Sequence, residues 1–191
     1  SDVYKRQAKY STDYPCSFMF VASMNPCPCG YYGDPTHRCV CTPGQIQRYM
    51  NKISGPLLDR IDIQCEISPV PFQDISKAAP GEPSAKIRER VIKAREVQAE
   101  RFKDYKGIHC NAQMTERMIH QFAEPDEQGI ELLRMAMEKL SLSARAYNRI
   151  LKVARTIADL AESEQIKPDH IAEAVGYRTL DRGDWAERGH L

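Results

Sequence analysis

Apolar residues follow two different periods along this chain, and the change of period divides it. Phe18-Met19-Phe20-Val21-Ala22 is an unbroken apolar run, which reads as a central strand buried on both faces. It ends at Ser23-Met24-Asn25-Pro26, where proline disfavours helix at Asn25 and breaks the ladder, so Asn25 is expected at the strand's carboxyl tip. A loop rich in Gly, Pro and Cys follows from Pro26 to Pro43, then a short helix over Gly44–Ile53 and one helical turn over Leu57–Arg60. Ile61, Ile63, Cys65 and Ile67 alternate with Asp62, Gln64 and Glu66, the period-2 signature of a strand.

The period then becomes helical. Pro69, Pro71, Pro80, Gly81 and Pro83 mark residues 69–83 as a linker. Ser84 is placed to cap a long helix to about Tyr105, with Ile87, Val91, Ala94 and Phe102 on its apolar stripe. Thr115, Asp126 and Ser143 are placed to open three more, and Pro168 sits in the first turn of a fifth that ends near Gly176. The expected architecture is α/β followed by all-α: residues 1–68 end an α/β domain, 69–83 link, and 84–191 form a helical bundle. Ser1–Gln7 shows neither period and the chain soon enters an apolar run, so a truncated start is expected.

Composition narrows the function classes. The chain has 191 residues, 42% of them hydrophobic, enough for a packed core. Net charge is +1, so only local patches can speak for a nucleic-acid partner. No apolar run is long enough for a membrane span and no secretory signal opens the chain. Seven cysteines without such a signal point to the reducing cytoplasm, where cysteine clusters more often bind metal than form disulfides.

Cys27-Pro28-Cys29 and Cys39-Val40-Cys41 are the sharpest candidate chemistry, because two close pairs can give four thiolates to a tetrahedral Zn²⁺. His37 could replace one of them, and the competing reading is four free thiols or a redox pair. With four protein ligands the site is closed, hence structural. Cys16, Cys65 and Cys110 read as ordinary buried thiols. Asn25 stands where α/β sheets place ligands, although a plain Asn-Pro turn explains it as well. Arg60, in Leu57-Leu58-Asp59-Arg60-Ile61-Asp62, is either a surface ion pair or a guanidinium for a transferring phosphoryl group. Arg145, Arg149, Lys152 and Arg155 fall near one helical stripe, which reads as a solvated basic face or, for Arg145 at a helix amino-terminus, as an anion contact.

The order of these features resembles the second half of an AAA+ ATPase module. Residues 21–30 (VASMNPCPCG), 55–63 (GPLLDRIDI) and 142–160 (LSARAYNRILKVARTIADL) resemble magnesium-chelatase-like ATPases of the ComM/YifB type, and the likeness runs from about Ala8 to Trp185. The resemblance implies sensor 1 at Asn25, the arginine finger at Arg60 and sensor 2 at Arg145, and makes residues 84–191 the helical lid. It implies a hexameric ring of identical subunits that uses ATP and Mg²⁺ to work on single-stranded or branched DNA, as a helicase or branch-migration motor in natural transformation. A chelatase motor is the alternative. The chain departs from the family in lacking G-x-x-x-x-G-K-[ST] and any apolar strand ending in paired acids before Asn25. By itself it is therefore expected to be inactive as an ATPase. A third reading is an autonomous zinc-containing binding module, against which the even charge argues.

Overall fold

In a computed structural model, the described residues are 3–6, 11–14, 18–67, 70, 81–140 and 142–178. They are mostly helical. β1 (Val3–Arg6) and β2 (Ser11–Tyr14) form an antiparallel hairpin with Val3 opposite Tyr14 and Arg6 opposite Ser11. The helices are α1 (Pro43–Met50), α2 (Gly55–Leu58), α3 (Ser84–Arg101), α4 (Glu116–Phe122), α5 (Glu127–Leu140), α6 (Ala144–Leu160) and α7 (Pro168–Gly176). A 3₁₀ turn at Asn111–Gln113 lies between α3 and α4.

Two strands expected from the periodicity do not form. Residues 18–22 belong to no strand, and Met19 and Val21 are 87% and 79% exposed. A strand exists only through lateral hydrogen bonds, and among the described residues none runs beside this segment. Ile61–Ile67 is reduced to a single parallel bridge, Gln64 to Arg178. Here the buried residue is Gln64 rather than the alternating isoleucines, and Cys65 is exposed, contrary to its reading as a buried thiol. Cys110 is half-buried, and Cys16 and most of 69–83 lie outside the described residues.

The helical half follows the sequence closely. Thr115 Oγ1 accepts from Met118 N–H, Asp126 Oδ1 from Gly129 N–H, and Ser143 Oγ from Ala146 N–H, each satisfying an otherwise orphaned donor. The cap of α3 is Pro83 and not Ser84, without a side-chain bond, and the helix stops at Arg101. Ile87 and Val91 of its expected apolar stripe stay exposed, while Ala94 and Gln98 turn inward.

α6 is the central helix. α3, the 3₁₀ turn, α4 and α7 pack on it, and α5 packs on α7. Ile150, Leu151, Ala154 and Ala158 of α6 meet Phe102, Met118, Ile119, Leu133, Ile166 and Ile171 in one core. Phe102, Tyr105 and Phe122 close its edge with edge-to-face ring contacts of 5.8–6.4 Å. α5 approaches its preceding loop so closely that a Cβ on Gly129 would lie 2.9 Å from Pro125 Cβ. Gly129→Ala is therefore expected to destabilise the bundle by about 1–3 kcal/mol, despite alanine's better helix propensity. A urea midpoint at or above the unsubstituted value would show that the loop yields freely.

Candidate functional site

The cysteine loop is built on two tight turns. Gly30 N–H donates to Cys27 O at 3.0 Å across Cys27-Pro28-Cys29-Gly30, and Gly30 takes φ +86°, a left-handed value that suits glycine. Asp34 Oδ1 accepts from Thr36 N–H, Thr36 Oγ1 and His37 N–H, which fixes the loop's far end. Thr42 then caps α1 reciprocally with Gln45: Thr42 N–H donates to Gln45 Oε1 at 2.8 Å, and Gln45 N–H donates to Thr42 Oγ1.

These turns bring the four sulfurs together. Cys27 Sγ lies 3.3 Å from Cys29 and 3.7 Å from Cys39, Cys29 lies 3.5 Å from Cys39, and all four atoms including Cys41 fall within 4.8 Å of one another. Four sulfurs at about 2.3 Å from a tetrahedral zinc stand about 3.8 Å apart, so the cluster has the size a zinc ion requires. The thiols are free rather than bridged. His37 is stacked on Tyr31 at 4.9 Å and bonded to Thr36 Oγ1, and the four side chains that gather are all cysteines.

The sulfurs are electrostatically unequal. Backbone N–H groups of Tyr31 and Val40 aimed at Cys29 draw its thiol down to about 6. Burial pushes Cys39 up to about 12 and raises Cys41 as well. Four thiolates this close repel one another, and a divalent cation removes that repulsion. Of residues 18–67, only Cys27, Ile46 and Gln64 are buried. The loop has almost no core of its own, which is the circumstance in which a structural metal supplies the stability.

The three candidate nucleotide residues lie on the surface. Asn25 is exposed just ahead of the cysteine loop. Arg60 is exposed, with Nη1 donating to Pro56 O at 2.7 Å. Arg145 is exposed in the first turn of α6. Among the described residues, no hydrogen bond or ion pair joins Asn25 to either arginine. Around Arg60 and Arg145 the chain does come together: Ser143 Oγ donates to Asp59 Oδ2 at 3.3 Å, and Arg149 pairs with Asp62.

Beyond the exposed Arg145, the basic stripe on α6 is tied into the fold. Arg149 is held by Asp62, Lys152 Nζ donates to Ala112 O at 3.0 Å, and Arg155 is buried. Arg155 belongs to a polar network that the hydrophobic pattern did not announce. Asp159, fully buried, accepts from Arg101 Nη2 at 2.5 Å, from Arg155 Nε at 3.1 Å and from Asn111 Nδ2 at 2.8 Å. Arg155 also donates to the carbonyls of Glu164 and Ser163, closing the turn after α6. The one signal in the sequence is the Arg155–Asp159 spacing of four residues, which is common on exposed helices as well.

Residues 1–75 match the family described as magnesium chelatase, subunit ChlI, and residues 81–178 match that subunit's carboxy-terminal region. The chain belongs to the magnesium chelatase ChlI family. It is 41% identical over 177 residues to the competence protein ComM of Haemophilus influenzae, covering 92% of this chain and 33% of that protein. It is 41% identical over 181 residues to the uncharacterized protein YifB of Escherichia coli, covering 94% of this chain and 34% of that protein. A Mycobacterium tuberculosis protein is 36% identical over 86% of this chain and 32% of its own length. The chain thus spans about a third of the curated relatives it matches. No helix among the described residues is long and apolar enough to cross a membrane.

Proposed function

We propose that this chain is the carboxy-terminal part of a ring-forming AAA+ ATPase that acts on single-stranded or branched DNA. The observation that carries the reading is the 41% identity to a competence protein over 92% of the chain, with the motifs around Asn25, Arg60 and Arg145 inside the matched region. In this reading residues 1–68 end the ATPase core, 69–83 link, and 84–191 form the lid. ATP and Mg²⁺ would be gripped by a P-loop that this sequence does not contain.

The chain's own residues would complete the site. Asn25, with a donor and an acceptor on one amide, would orient the attacking water. Arg60, exposed just after α2, would reach the nucleotide of a neighbouring subunit and stabilise charge on the transferring phosphoryl group. Arg145 would couple nucleotide state to movement of the helical bundle. Zinc held by Cys27, Cys29, Cys39 and Cys41 would staple the loop beside Asn25. Work in the cytoplasm on DNA, in a hexamer of identical subunits, completes the proposal.

In the protein extended by its upstream coding sequence, Arg60→Ala is expected to cut DNA-stimulated ATP turnover about 10³-fold or more. Unchanged turnover would sink the arginine-finger assignment. The family description favours one other reading, a motor for metal insertion into a tetrapyrrole. Stimulation by a porphyrin-carrying partner and not by DNA would select it.

A further inference from the structure

Residues Asp59–Gln64 form no regular element beyond one bridge, yet four ties fasten them to the helical bundle. Ser143 Oγ donates to Asp59 Oδ2 at 3.3 Å while accepting from Ala146 N–H at 3.2 Å, so the hydroxyl that caps α6 also reaches Asp59. Arg149, nearly two turns on from Ser143, pairs with Asp62. Gln64 N–H donates to Tyr177 O at 2.8 Å. Arg178, wholly buried just after α7, donates from Nη1 to Ile61 O, and its Nη2 lies 3.9 Å from Asp59 Oδ1. Burying a guanidinium is costly unless it finds partners, and the bond from Nη1 to Ile61 O ties the end of α7 to this segment.

Both candidate arginines are neighbours in sequence of these ties. Arg60 directly follows Asp59, and Arg145 stands two residues after Ser143. Both remain exposed while the residues beside them are fixed. We propose that Asp59, Asp62, Arg149 and Arg178 are positioning residues that hold Arg60 and Arg145 as one rigid pair. Movement of α6 then carries Arg60 with it, and one element presents both cations to nucleotide. A carboxylate at the amino-terminal end of α6 is also favoured by the helix dipole, which keeps Asp59 on Ser143. The positioning role rests on the ATPase reading above; the seat itself does not.

Two measurements test the proposal. Hydrogen exchange on this chain reads the seat. The Gln64 amide is expected to be protected, and Asp59→Ala/Asp62→Ala is expected to speed its exchange at least about 10-fold while amides in the α6 core stay slow. Both aspartates lie outside the bundle core, so the double variant keeps the bundle folded. An unprotected Gln64 amide, or no change in the variant, overturns the seat.

ATP turnover of the protein extended by its upstream sequence reads the positioning. Asp59→Ala/Asp62→Ala is expected to lower kcat about 10-fold with KM for ATP little changed, and to have no further effect in an Arg60→Ala background. The charge-reversed pair Asp62→Arg/Arg149→Asp is expected to restore part of the loss. An additive effect with Arg60→Ala, or unchanged kcat where Arg60→Ala and Arg145→Ala both lower it, overturns the positioning role alone. Unchanged kcat in Arg60→Ala and Arg145→Ala overturns the ATPase reading and the positioning role together, and leaves the exchange result standing.

Discussion

Asp159→Ala is expected to destabilise the helical bundle by about 3–5 kcal/mol, the cost of removing one partner from a buried ion pair. Asp159 is wholly buried and is the common acceptor for Arg101, Arg155 and Asn111. Truncation leaves Arg155, itself buried, with its Nε unpaired beside the Arg101 guanidinium. Arg155 has little access to water that could replace the carboxylate, while Arg101, partly exposed, keeps Asn111 Oδ1. Small domains are stable by about 5–15 kcal/mol in total, so the variant stands near the unfolding threshold. Urea unfolding followed by circular dichroism reads the effect as a midpoint lowered by about 2 M, given a slope of about 1–3 kcal/mol per molar. A loss below about 1 kcal/mol would mean that water reaches the network. Asp159→Asn keeps the shape and one acceptor oxygen, and is expected to lose less. The comparison separates charge from packing.

Cys39→Ser/Cys41→Ser is expected to abolish bound zinc, from about one ion per chain to none, and to release the loop from 27 to 41. The four sulfurs gather within 4.8 Å, and Cys27 and Ile46 are the only buried apolar residues among 18–67. Structural zinc supplies on the order of 10 kcal/mol or more in small metal-held modules, far beyond what the turns at Gly30 and Asp34 supply. Elemental analysis of the purified chain reads the metal, and limited proteolysis between 27 and 41 reads the loop. The bundle has its own core and is expected to keep its helical signal. Equal zinc content in the variant and the parent chain would overturn the assignment.

The same site carries a pH dependence of defined sign. Zinc takes thiolates, and Cys39, at about 12, and Cys41, also raised, are both thiols at neutral pH. Cys29, at about 6, is already largely ionised there. Loading then releases at least two protons, so zinc affinity rises with pH and is lost as pH falls through neutrality. Competition with a chelator at pH 6.5 and 8 reads the direction. Affinity independent of pH would show that all four sulfurs are ionised before zinc arrives.

The bundle was legible because its information is local. Thr115, Asp126 and Ser143 cap their helices through bonds to residues three positions on, and Pro168 needs only its own fixed backbone angle. The cysteine cluster was legible for a related reason: two pairs of ligands on a short loop can hardly avoid one another. Residues 18–22 and 61–67 were misread because a strand is defined by a neighbour, and apolar alternation says nothing about whether one lies alongside. Ile87 and Val91 show the same limit in a helix, since a stripe is buried only where something packs on it.

By itself the sequence determined the helices from α4 to α7, the zinc-sized cysteine set and the family, since caps, periodicity and motif spacing all act over a few residues. Only the tertiary structure decided that Asp159 gathers Arg101, Arg155 and Asn111, that Arg149 and Lys152 of the basic stripe find partners while Arg155 is buried, and that Asp59–Gln64 is seated on Ser143, Arg149 and Arg178. These partners are up to 117 residues apart in the chain. A charged side chain carries no periodic mark of the partner it will meet at that distance, so its role is fixed only when packing has excluded water and left one counter-charge within reach.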